Sequence, residues 1–210
     1  MRIPVAAEGW PFIFPPGVAA CILALMGWPI AAGVLAAVAL AFLAFFRDPE
    51  RVVPTLPGAV LAPADGKVMG VVEVEDRWVG RAVRLSIFLS PLDVHVNRAP
   101  AGGIVRDVDY VPGRFLAAYK PEASEQNERC TVALESDVAR LSVRQISGVL
   151  ARRIVCRVRP GDKLLAGQRY GMIRFGSRTD LLVPTGTELR VKVGDRVRGG
   201  ETVMGMLRES

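Results

Sequence analysis

Histidine and cysteine, the residues from which most metal sites and all disulfides are built, are scarce in this sequence. Its 210 residues include one histidine and three cysteines, Cys21, Cys130 and Cys156. The cysteines are odd in number, widely spaced and without a CxxC pair, which predicts reduced thiols rather than a disulfide framework. We also expect no metal cofactor, because no cluster of histidines, cysteines and carboxylates occurs at ligand spacing; only an all-carboxylate magnesium site stays open.

Aromatic residues are few as well, at 7% of the chain. A protein that binds single-stranded nucleic acid needs aromatic residues interleaved with basic ones along a groove, and much of the aromatic content here lies in the apolar N-terminal region. We therefore expect no nucleic acid partner. The formal net charge of +6 and the pI of about 9.7 favour an anionic membrane surface or an acidic small molecule instead.

Charge is absent altogether from Gly9 to Phe46. A proline divides this run into two apolar blocks, Val18 to Trp28 and Ile30 to Phe46, which as helices would extend about 16 Å and about 26 Å against a hydrocarbon core of about 30 Å. The run therefore predicts either one kinked, tilted helix or a re-entrant helical hairpin. It is too long for a cleaved secretory signal, and a buried hairpin of a soluble protein is the less favoured alternative.

Residues 1–50 are thus predicted to be a membrane-associating segment, and residues 51–210 a separate domain. Composition supports this division, because the excess of hydrophobic residues, 50% overall, is concentrated before position 47. The basic residues that follow the apolar run, Arg47 and Arg51 among them, favour a domain on the cytoplasmic side of the cell membrane.

After Pro57 the sequence changes to short β-rich runs separated by glycine, proline and aspartate. These runs predict strands over Lys67–Val74, Ala82–Leu89, Thr131–Glu135 and Leu141–Gln145. Helical periodicity is weak in this part of the chain. We therefore predict a β-dominated α+β fold with antiparallel sheets, preceded by the hydrophobic helical segment.

The C-terminal residues 188–203 are typical of two strands around the Gly194-Asp195 turn, followed by a second glycine turn. This pattern and residues 61–68 resemble the hairpins of barrel-sandwich domains of the lipoyl and biotinyl type. A non-catalytic, membrane-anchored adaptor or carrier module is therefore an alternative function. Against a carrier, neither turn presents a lysine at an exposed tip between the usual neighbours.

The single histidine, His95, lies between two polar residues that share its spacing. On a strand, Asp93, His95 and Asn97 would occupy one face, so the Asp93 carboxylate could orient the imidazole beside a reactive group. A histidine without such company is more often a surface or core residue.

Gly176 and Ser177 form a pair that can react with itself. Glycine leaves its carbonyl sterically open, so the Ser177 hydroxyl can attack it; the resulting ester can eliminate to dehydroalanine, which hydrolyses to an N-terminal pyruvoyl group. Most Gly-Ser pairs are ordinary turns, and Asp65 beside Gly66 is likewise typical of a turn. Their significance comes from the segments around them.

Taken together, several segments of the chain resemble the short form of the phosphatidylserine decarboxylase family. Each is modest by itself, but the set occurs in the family's order across nearly the whole chain and is highly specific. In one-letter code the matching segments are FFRDPER (45–51), APADGK (62–67), LSPLDVHVNR (89–98), NER (127–129), QISG (145–148), ARRI (151–154) and GMIRFGS (171–177).

The resemblance implies a pyruvoyl-dependent decarboxylase, made as a zymogen, that converts phosphatidylserine to phosphatidylethanolamine and carbon dioxide through a Schiff-base intermediate. Ser177 would become the pyruvoyl cofactor after autocatalytic cleavage of the Gly176–Ser177 bond, so that neither a metal nor pyridoxal phosphate is needed. Asp65 and His95 would act as an acid-base pair, with Asp93 supporting His95. The resemblance further implies a β chain of residues 1–176 and an α chain of residues 177–210, held as a heterodimer, and a dimer of such heterodimers.

Two positions depart from the pattern of the longer family members. Those members cleave within Leu-Gly-Ser-Thr, whereas here Phe175 precedes the glycine and Arg178 follows the serine. Their second histidine, three positions after the first, is Arg98 here, so His95 would serve both self-cleavage and decarboxylation or share the work with a carboxylate. A hydrolase with Ser177 as nucleophile and His95 as base is a further alternative, although the Gly-x-Ser-x-Gly pattern of a nucleophile elbow is missing.

Overall fold

The computed structural model describes residues 4–120, 122–149, 153–174 and 177–207. The chain divides into two compact units, Met1–Glu50 and Arg51–Ser210. Each unit is described here by itself.

The first unit is a helical hairpin. A 3-10 turn over Ala7–Gly9 leads into helix α1 (Trp10–Leu25), and helix α2 follows over Pro29–Phe45. Between the helices Gly27 adopts a φ of 79°, a left-handed conformation that favours glycine, and the proline at the first position of α2 has the φ that a helix start requires. Of the two arrangements that the sequence left open, the described residues therefore form the hairpin.

The two helices run antiparallel and pack through aromatic rings. The ring of Phe12, near the start of α1, lies 5.6 Å from the ring of Phe42 and 5.4 Å from that of Phe46, both at the end of α2. Much apolar surface stays uncovered, since Leu25 and Ile30 are 89% and 85% exposed. Within the described residues, Ala7–Leu25 is the one helical stretch long and apolar enough to cross a membrane, with a mean hydropathy of 1.4.

The second unit is built from antiparallel sheets that curl into a half-barrel, with one short helix, α3 (Ala123–Gln126). The predicted fold class is thereby confirmed. The strands are β1 (Ala59–Leu61), β2 (Gly66–Asp76), β3 (Gly80–Leu89), β4 (Val96–Arg98), β5 (Gly103–Val111), β6 (Arg129–Glu135), β7 (Arg140–Ile146), β8 (Ile154–Cys156), β9 (Lys163–Leu164), β10 (Arg169–Ile173), β11 (Ser177–Pro184), β12 (Glu188–Leu189), β13 (Arg196–Val197) and β14 (Val203–Met206).

Three sheets contain these strands. The largest has eight strands in the order β13-β2-β3-β11-β7-β6-β5-β9, and two three-stranded sheets have the orders β1-β14-β12 and β4-β10-β8. The four strands predicted from the sequence correspond to β2, β3, β6 and β7, each extended by one or more residues. Strand β11 lies in the interior of the large sheet, paired with β3 on one side and β7 on the other.

The C-terminal strands differ from a simple hairpin. Strands flank the Gly194-Asp195 turn as expected, but they do not pair with each other: β12 pairs with β14, whereas β13 pairs with β2. Both flanking strands are only two residues long, so their own hydrogen bonds are too few to fix their partners. Tertiary packing decides the pairing instead.

The core lies on one face of the large sheet. Along β3 the side chains of Leu85, Ile87 and Leu89 are fully buried and belong to the main hydrophobic cluster, which also takes Val143 of β7 and Leu181 of β11. Residues of the intervening positions point to the opposite face, because side chains alternate along a strand. The same alternation decides on which face each polar residue of the candidate site lies.

Candidate active site

Strands β2, β3 and β11 bring two of the predicted site residues to one edge of the large sheet. Lys67 of β2 and Arg178 of β11 both lie opposite Phe88 of β3. Ser177, the first residue of β11, lies one residue closer to this edge than Arg178 does, opposite Leu89. Asp65 directly precedes β2, which begins at Gly66. The two strands are separated by β3 alone, a spacing of about 10 Å between their backbones. We call this edge of the large sheet the site edge.

Two further family-like segments reach the site edge. Ile146, at the end of β7, lies opposite both Arg178 of β11 and Arg129 of β6. The side chain of Asn127 connects the segments on either side of these strands: its Nδ2 donates to the carbonyl oxygens of Leu116 and Ser147, each at 2.8 Å. Segments 127–129 and 145–148 thus meet at the edge where Ser177 lies.

Ser177 is a buried serine at the start of β11. Its side chain is 0% exposed, and its Oγ has no hydrogen-bond partner among the described residues. Because side chains alternate, Ser177 shares a face with Thr179, whose Oγ1 accepts a hydrogen bond from Asn97 Nδ2 at 3.2 Å. No described group therefore competes for the Ser177 hydroxyl. Phe175 and Gly176 lie outside the described residues.

His95 is fully buried and is held by the main chain of the turn before it. Its Nδ1 lies 2.9 Å from the carbonyl oxygen of Asp93. A carbonyl oxygen can only accept, so Nδ1 carries the proton in this bond. In the neutral imidazole Nε2 then has the lone pair, which is the form that a general base requires. The carbonyl of His95 in turn accepts from the N–H of Ile173 in β10, at 3.3 Å.

The structure corrects the expectation that one strand carries Asp93, His95 and Asn97 on a single face. Strand β4 begins only at Val96, and Asp93 ends a β-turn in which its N–H donates to the Ser90 carbonyl at 2.9 Å. Proline at the second position of this turn favours it over an extended strand. The Asp93 carboxylate accepts from the Ser90 N–H at 2.8 Å. Among the described contacts, Asp93 reaches His95 through its main-chain carbonyl.

Asp65 lies in a clamp made by a guanidinium and a main-chain amide. Arg51 Nη2 donates to its Oδ2 at 2.8 Å, and the Gly199 N–H donates to its Oδ1 at 2.8 Å. Burial raises the pKa of Asp65 above its ordinary value, and the negative charge of Asp93 adds to the rise, while Gly199 and Arg51 act in the opposite direction. The charge of this carboxyl is thus set by the groups around it.

A buried amide network, which the sequence did not predict, connects three strands beside the site edge. Gln145 Nε2 of β7 donates to Asn97 Oδ1 of β4 at 2.8 Å, and Asn97 Nδ2 in turn donates to Thr179 Oγ1 of β11 at 3.2 Å. Gln145 and Asn97 are 0% exposed. Two features of the sequence could have indicated this network. Gln145 and Asn97 are polar residues among apolar neighbours, and both lie within the family-like segments.

The close packing around this network makes a glycine indispensable. A Cβ on Gly171 of β10 would collide with the carbonyl oxygen of Val155 and come within 2.8 Å of Gln145 Nε2. We expect Gly171→Ala to lower the free energy of unfolding by about 1–3 kcal/mol, measured as a lower denaturant midpoint for the full chain in detergent. Gly186→Ala is the matched control, because no atom lies within 4 Å of its added Cβ. Equal midpoints for both variants would contradict the packing argument.

Arg178 and Arg98, the positions that depart from the longer family members, both have buried partners. On the face opposite Ser177, Arg178 Nε lies 2.6 Å from Asp180 Oδ1, and its Nη2 donates to Ser86 Oγ at 2.7 Å. Arg98 Nη1 donates to the carbonyl oxygen of Gly167 at 3.2 Å. Both side chains are only 4% exposed, so each arginine is built into the fold rather than displayed on the surface.

The thiols of Cys130 in β6 and Cys156 in β8 are hydrogen-bonded to each other. The bond lowers the pKa of Cys156 to about 7, against the opposing effect of burial. It raises the pKa of Cys130, as burial does too. Cys130 therefore keeps its proton and donates it, while Cys156 becomes a thiolate first.

This pair predicts an unusual reactivity. Alkylation of Cys156 by iodoacetamide, followed by peptide mass mapping of the native chain, is expected to rise with pH around a midpoint of about 7. Cys130→Ala should move the midpoint up toward the ordinary thiol value of about 8.5, because the hydrogen-bond donor is lost. A native midpoint already at the ordinary value would contradict the assignment.

Comparison with known proteins gives a consistent result. The family model described as phosphatidylserine decarboxylase matches residues 38–205. Among curated relatives, a phosphatidylserine decarboxylase proenzyme of Symbiobacterium thermophilum is 49% identical over 99% of this chain and 98% of its own. Proteins of the same name from Nitrosomonas eutropha and Geobacter sulfurreducens are 46% and 44% identical, each over 97% of this chain and over 95% and 97% of their own.

Proposed function

The chain belongs to the phosphatidylserine decarboxylase family, and from this premise we propose that it is a proenzyme that cuts itself between Gly176 and Ser177 and then converts phosphatidylserine to phosphatidylethanolamine and carbon dioxide. One observation carries the proposal: Ser177 and Asp65 lie at the site edge, and the turn that follows β3 there leads directly to His95. The word proenzyme in the relatives' names supports processing of the chain.

The surroundings of Ser177 fit its role as the precursor of a pyruvoyl group. Its buried Oγ has no described partner to compete for the hydroxyl. In the proposed cleavage, Oγ bonds to the Gly176 carbonyl carbon and the amide nitrogen leaves, which gives an ester. Loss of the Ser177 Cα proton then breaks the Cβ–Oγ bond and frees the Gly176 carboxylate. Water replaces the nitrogen, which departs as ammonia, and a pyruvoyl group remains at the start of the α chain.

His95 and Asp65 supply the proton transfers of this scheme. With Nδ1 fixed on the Asp93 carbonyl, His95 Nε2 takes the proton from Ser177 Oγ and returns it to the leaving nitrogen. Asp65, held by Arg51 and Gly199, is the second member of the acid-base pair. Asp93 acts as a support for His95 through its carbonyl.

Once formed, the pyruvoyl group supplies a carbonyl that condenses with the substrate amine as a Schiff base and accepts the electron pair left behind by carbon dioxide. The residues of this chain then orient the head group and move protons. His95 delivers a proton to the carbon that lost its carboxyl group, and the burial of His95 and Ser177 keeps bulk water from that carbon. Neither a metal nor pyridoxal phosphate has a part in this scheme.

Cleavage is expected to leave the α chain, residues 177–210, bound to the β chain, residues 1–176, as a heterodimer. Strand β11 would remain in the interior of the large sheet, between β3 and β7 of the β chain. Two further strands of the α chain also pair with the β chain: β14 with β1, and β13 with β2. No covalent bond is needed to hold the fragments together.

The helical hairpin of the first unit would keep the enzyme at the membrane that contains its substrate. Its exposed apolar side chains, such as Leu25 and Ile30, suit a lipid environment. We place the second unit on the cytoplasmic side, because basic residues follow the apolar run. There its positive charge would favour the anionic head groups of the lipid surface.

The function is tested with mixed micelles of phosphatidylserine labelled in its serine carboxyl group. We expect release of labelled carbon dioxide and stoichiometric formation of phosphatidylethanolamine. N-acetylated phosphatidylserine is the matched control, because without a free amine it cannot condense with a carbonyl and should not react. Failure to release the label from phosphatidylserine, together with a chain that stays whole, would favour the adaptor function instead.

A further inference from the structure

Arg51 connects Asp65 to a second carboxylate from the C-terminal part of the chain. Its Nη2 lies 2.8 Å from Asp65 Oδ2, and its Nη1 lies 3.3 Å from Glu201 Oε2. The side chains of Arg51 and Asp65 are only 7% and 15% exposed, so water screens their interaction little. Glu201 also accepts from the N–H of Val52 at 3.3 Å, which fixes it against the segment that carries the arginine.

We propose that Arg51 is a positioning residue for Asp65: it keeps the carboxylate ionised and aimed at the site edge, while Glu201 holds the guanidinium in place. This assignment rests on the proposed function, in which Asp65 is a member of the acid-base pair. In the sequence Arg51 is only the last residue of a family-like segment, and its partners are 14 and 150 positions away.

The charges around Asp65 explain why such a residue is needed. Asp65 is buried and faces the negative charge of Asp93, and both effects favour its protonated form. Against them act the Arg51 guanidinium and the Gly199 N–H. Loss of Arg51 would leave a buried carboxyl beside another carboxylate, with one amide donor remaining.

Three further arginines lie near the clamp. Arg98 packs against Gly200 and donates to the carbonyl oxygen of Gly167, and the other two pair with Glu201 and with Asp93. Arg198 Nη1 lies 3.9 Å from Glu201 Oε2, and Arg196 Nη1 lies 3.5 Å from Asp93 Oδ1. Both arginines are more than 70% exposed, so their effect on Asp65 is weakened by solvent. Arg51 is therefore the described cation with a direct contact to the Asp65 carboxylate.

The clamp also crosses the proposed cleavage point. Asp65 and Arg51 belong to the β chain, whereas Gly199 and Glu201 belong to the α chain. The α chain would thus contribute both the pyruvoyl group and half of the contacts that fix Asp65. All of these contacts are present in the uncleaved chain. The effect of Arg51 on self-cleavage can therefore be measured on the proenzyme alone.

The sign of the expected pH effect follows from the role of Asp65 as a carboxylate. A required carboxylate loses activity as pH falls through its pKa. Because His95 is also required as a base, the acidic limb contains one step for each group, and a rise in the pKa of Asp65 moves the Asp65 step to higher pH. An opposite charge at this distance typically lowers a carboxyl pKa by about 1–3 units. Arg51→Met should therefore shift the acidic limb of self-cleavage upward by about one pH unit or more.

The experiment follows self-cleavage of full-length proenzyme, made by cell-free translation in detergent and transferred to buffers from about pH 5 to about pH 9. Arg51→Met should show the upward shift with a nearly native plateau at high pH, and Arg51→Lys a smaller shift. Glu201→Gln should shift the limb less than Arg51→Met does, because Arg51 stays charged and the glutamine carbonyl oxygen can still accept from its guanidinium. Arg77→Met is the matched control: Arg77 pairs with Asp107 at 2.6 Å, and its side chain is 65% exposed.

The possible results separate this assignment from the proposed function. An unmoved limb in Arg51→Met, or a uniform loss at every pH in a chain that is folded by circular dichroism, overturns the assignment while wild-type cleavage upholds the function. If Arg51→Met does not fold, Arg51→Lys decides: a limb identical to wild type would contradict the proposal. A wild-type chain that stays whole at every pH overturns the proposed function, and this assignment with it.

Discussion

Ser177→Ala is expected to leave the chain whole at 210 residues and to abolish the release of carbon dioxide from phosphatidylserine. Without Oγ no ester can form with the Gly176 carbonyl, and alanine cannot yield a pyruvoyl group. The loss should be complete rather than partial, because one atom is required both for the cut and for the cofactor. Denaturing gel electrophoresis and the labelled-lipid assay measure the two effects.

Ser142→Ala is the matched control for this change. Ser142 is also a serine of the large sheet that is 0% exposed and has no described partner for its Oγ. It lies opposite Leu182 of β11, on the face away from Ser177. Ser142→Ala should cleave and decarboxylate like the wild type, and a Ser177→Ala chain that still splits would place the reactive serine elsewhere.

His95→Gln is the second change with a large expected effect. Glutamine can donate a hydrogen bond to the Asp93 carbonyl but cannot take up the proton of Ser177 Oγ. General acid-base catalysis typically contributes a factor of about 10²–10⁴, so we expect self-cleavage to slow by a factor in that range. A time course of freshly translated proenzyme measures the rate. Because His95 acts in both reactions, any fragments that form slowly should also decarboxylate slowly.

Val96→Ala serves as the control for His95→Gln. Val96 follows the histidine directly, is 5% exposed and has no group that can move a proton. Its shortening should reduce stability modestly and leave the cleavage rate close to that of the wild type. If His95→Gln cleaved at the wild-type rate, another group would have to serve as the base.

The fold was predictable where the signal is local and strong. Strands β2, β3, β6 and β7 follow from alternating apolar residues bounded by turn residues, and the apolar run before position 47 gave the two helices of the first unit. The predictions were less complete where only a few residues determine the pairing of a strand or the position of a turn. Two-residue strands around Gly194 found partners in other parts of the chain. The proline turn at Ser90–Asp93 prevailed over the alternation that predicted Asp93, His95 and Asn97 on one strand.

The candidate site was predictable only through the ordered set of family-like segments. Alternation explains why Ser177 and Thr179 share a face, but no local pattern connects Gln145 to Asn97 or Arg51 to Glu201. These contacts join positions 48 and 150 residues apart. They depend on the order of strands in the sheets, which sequence reasoning does not supply.

The intact masses of the purified wild-type fragments under denaturing conditions test the central claim most directly. The account predicts a large fragment that ends at Gly176 and a small fragment of residues 177–210 that is lighter by one ammonia than the same peptide with an N-terminal serine. A single chain of full mass in a folded preparation, or a small fragment that begins with an unmodified serine, would contradict it.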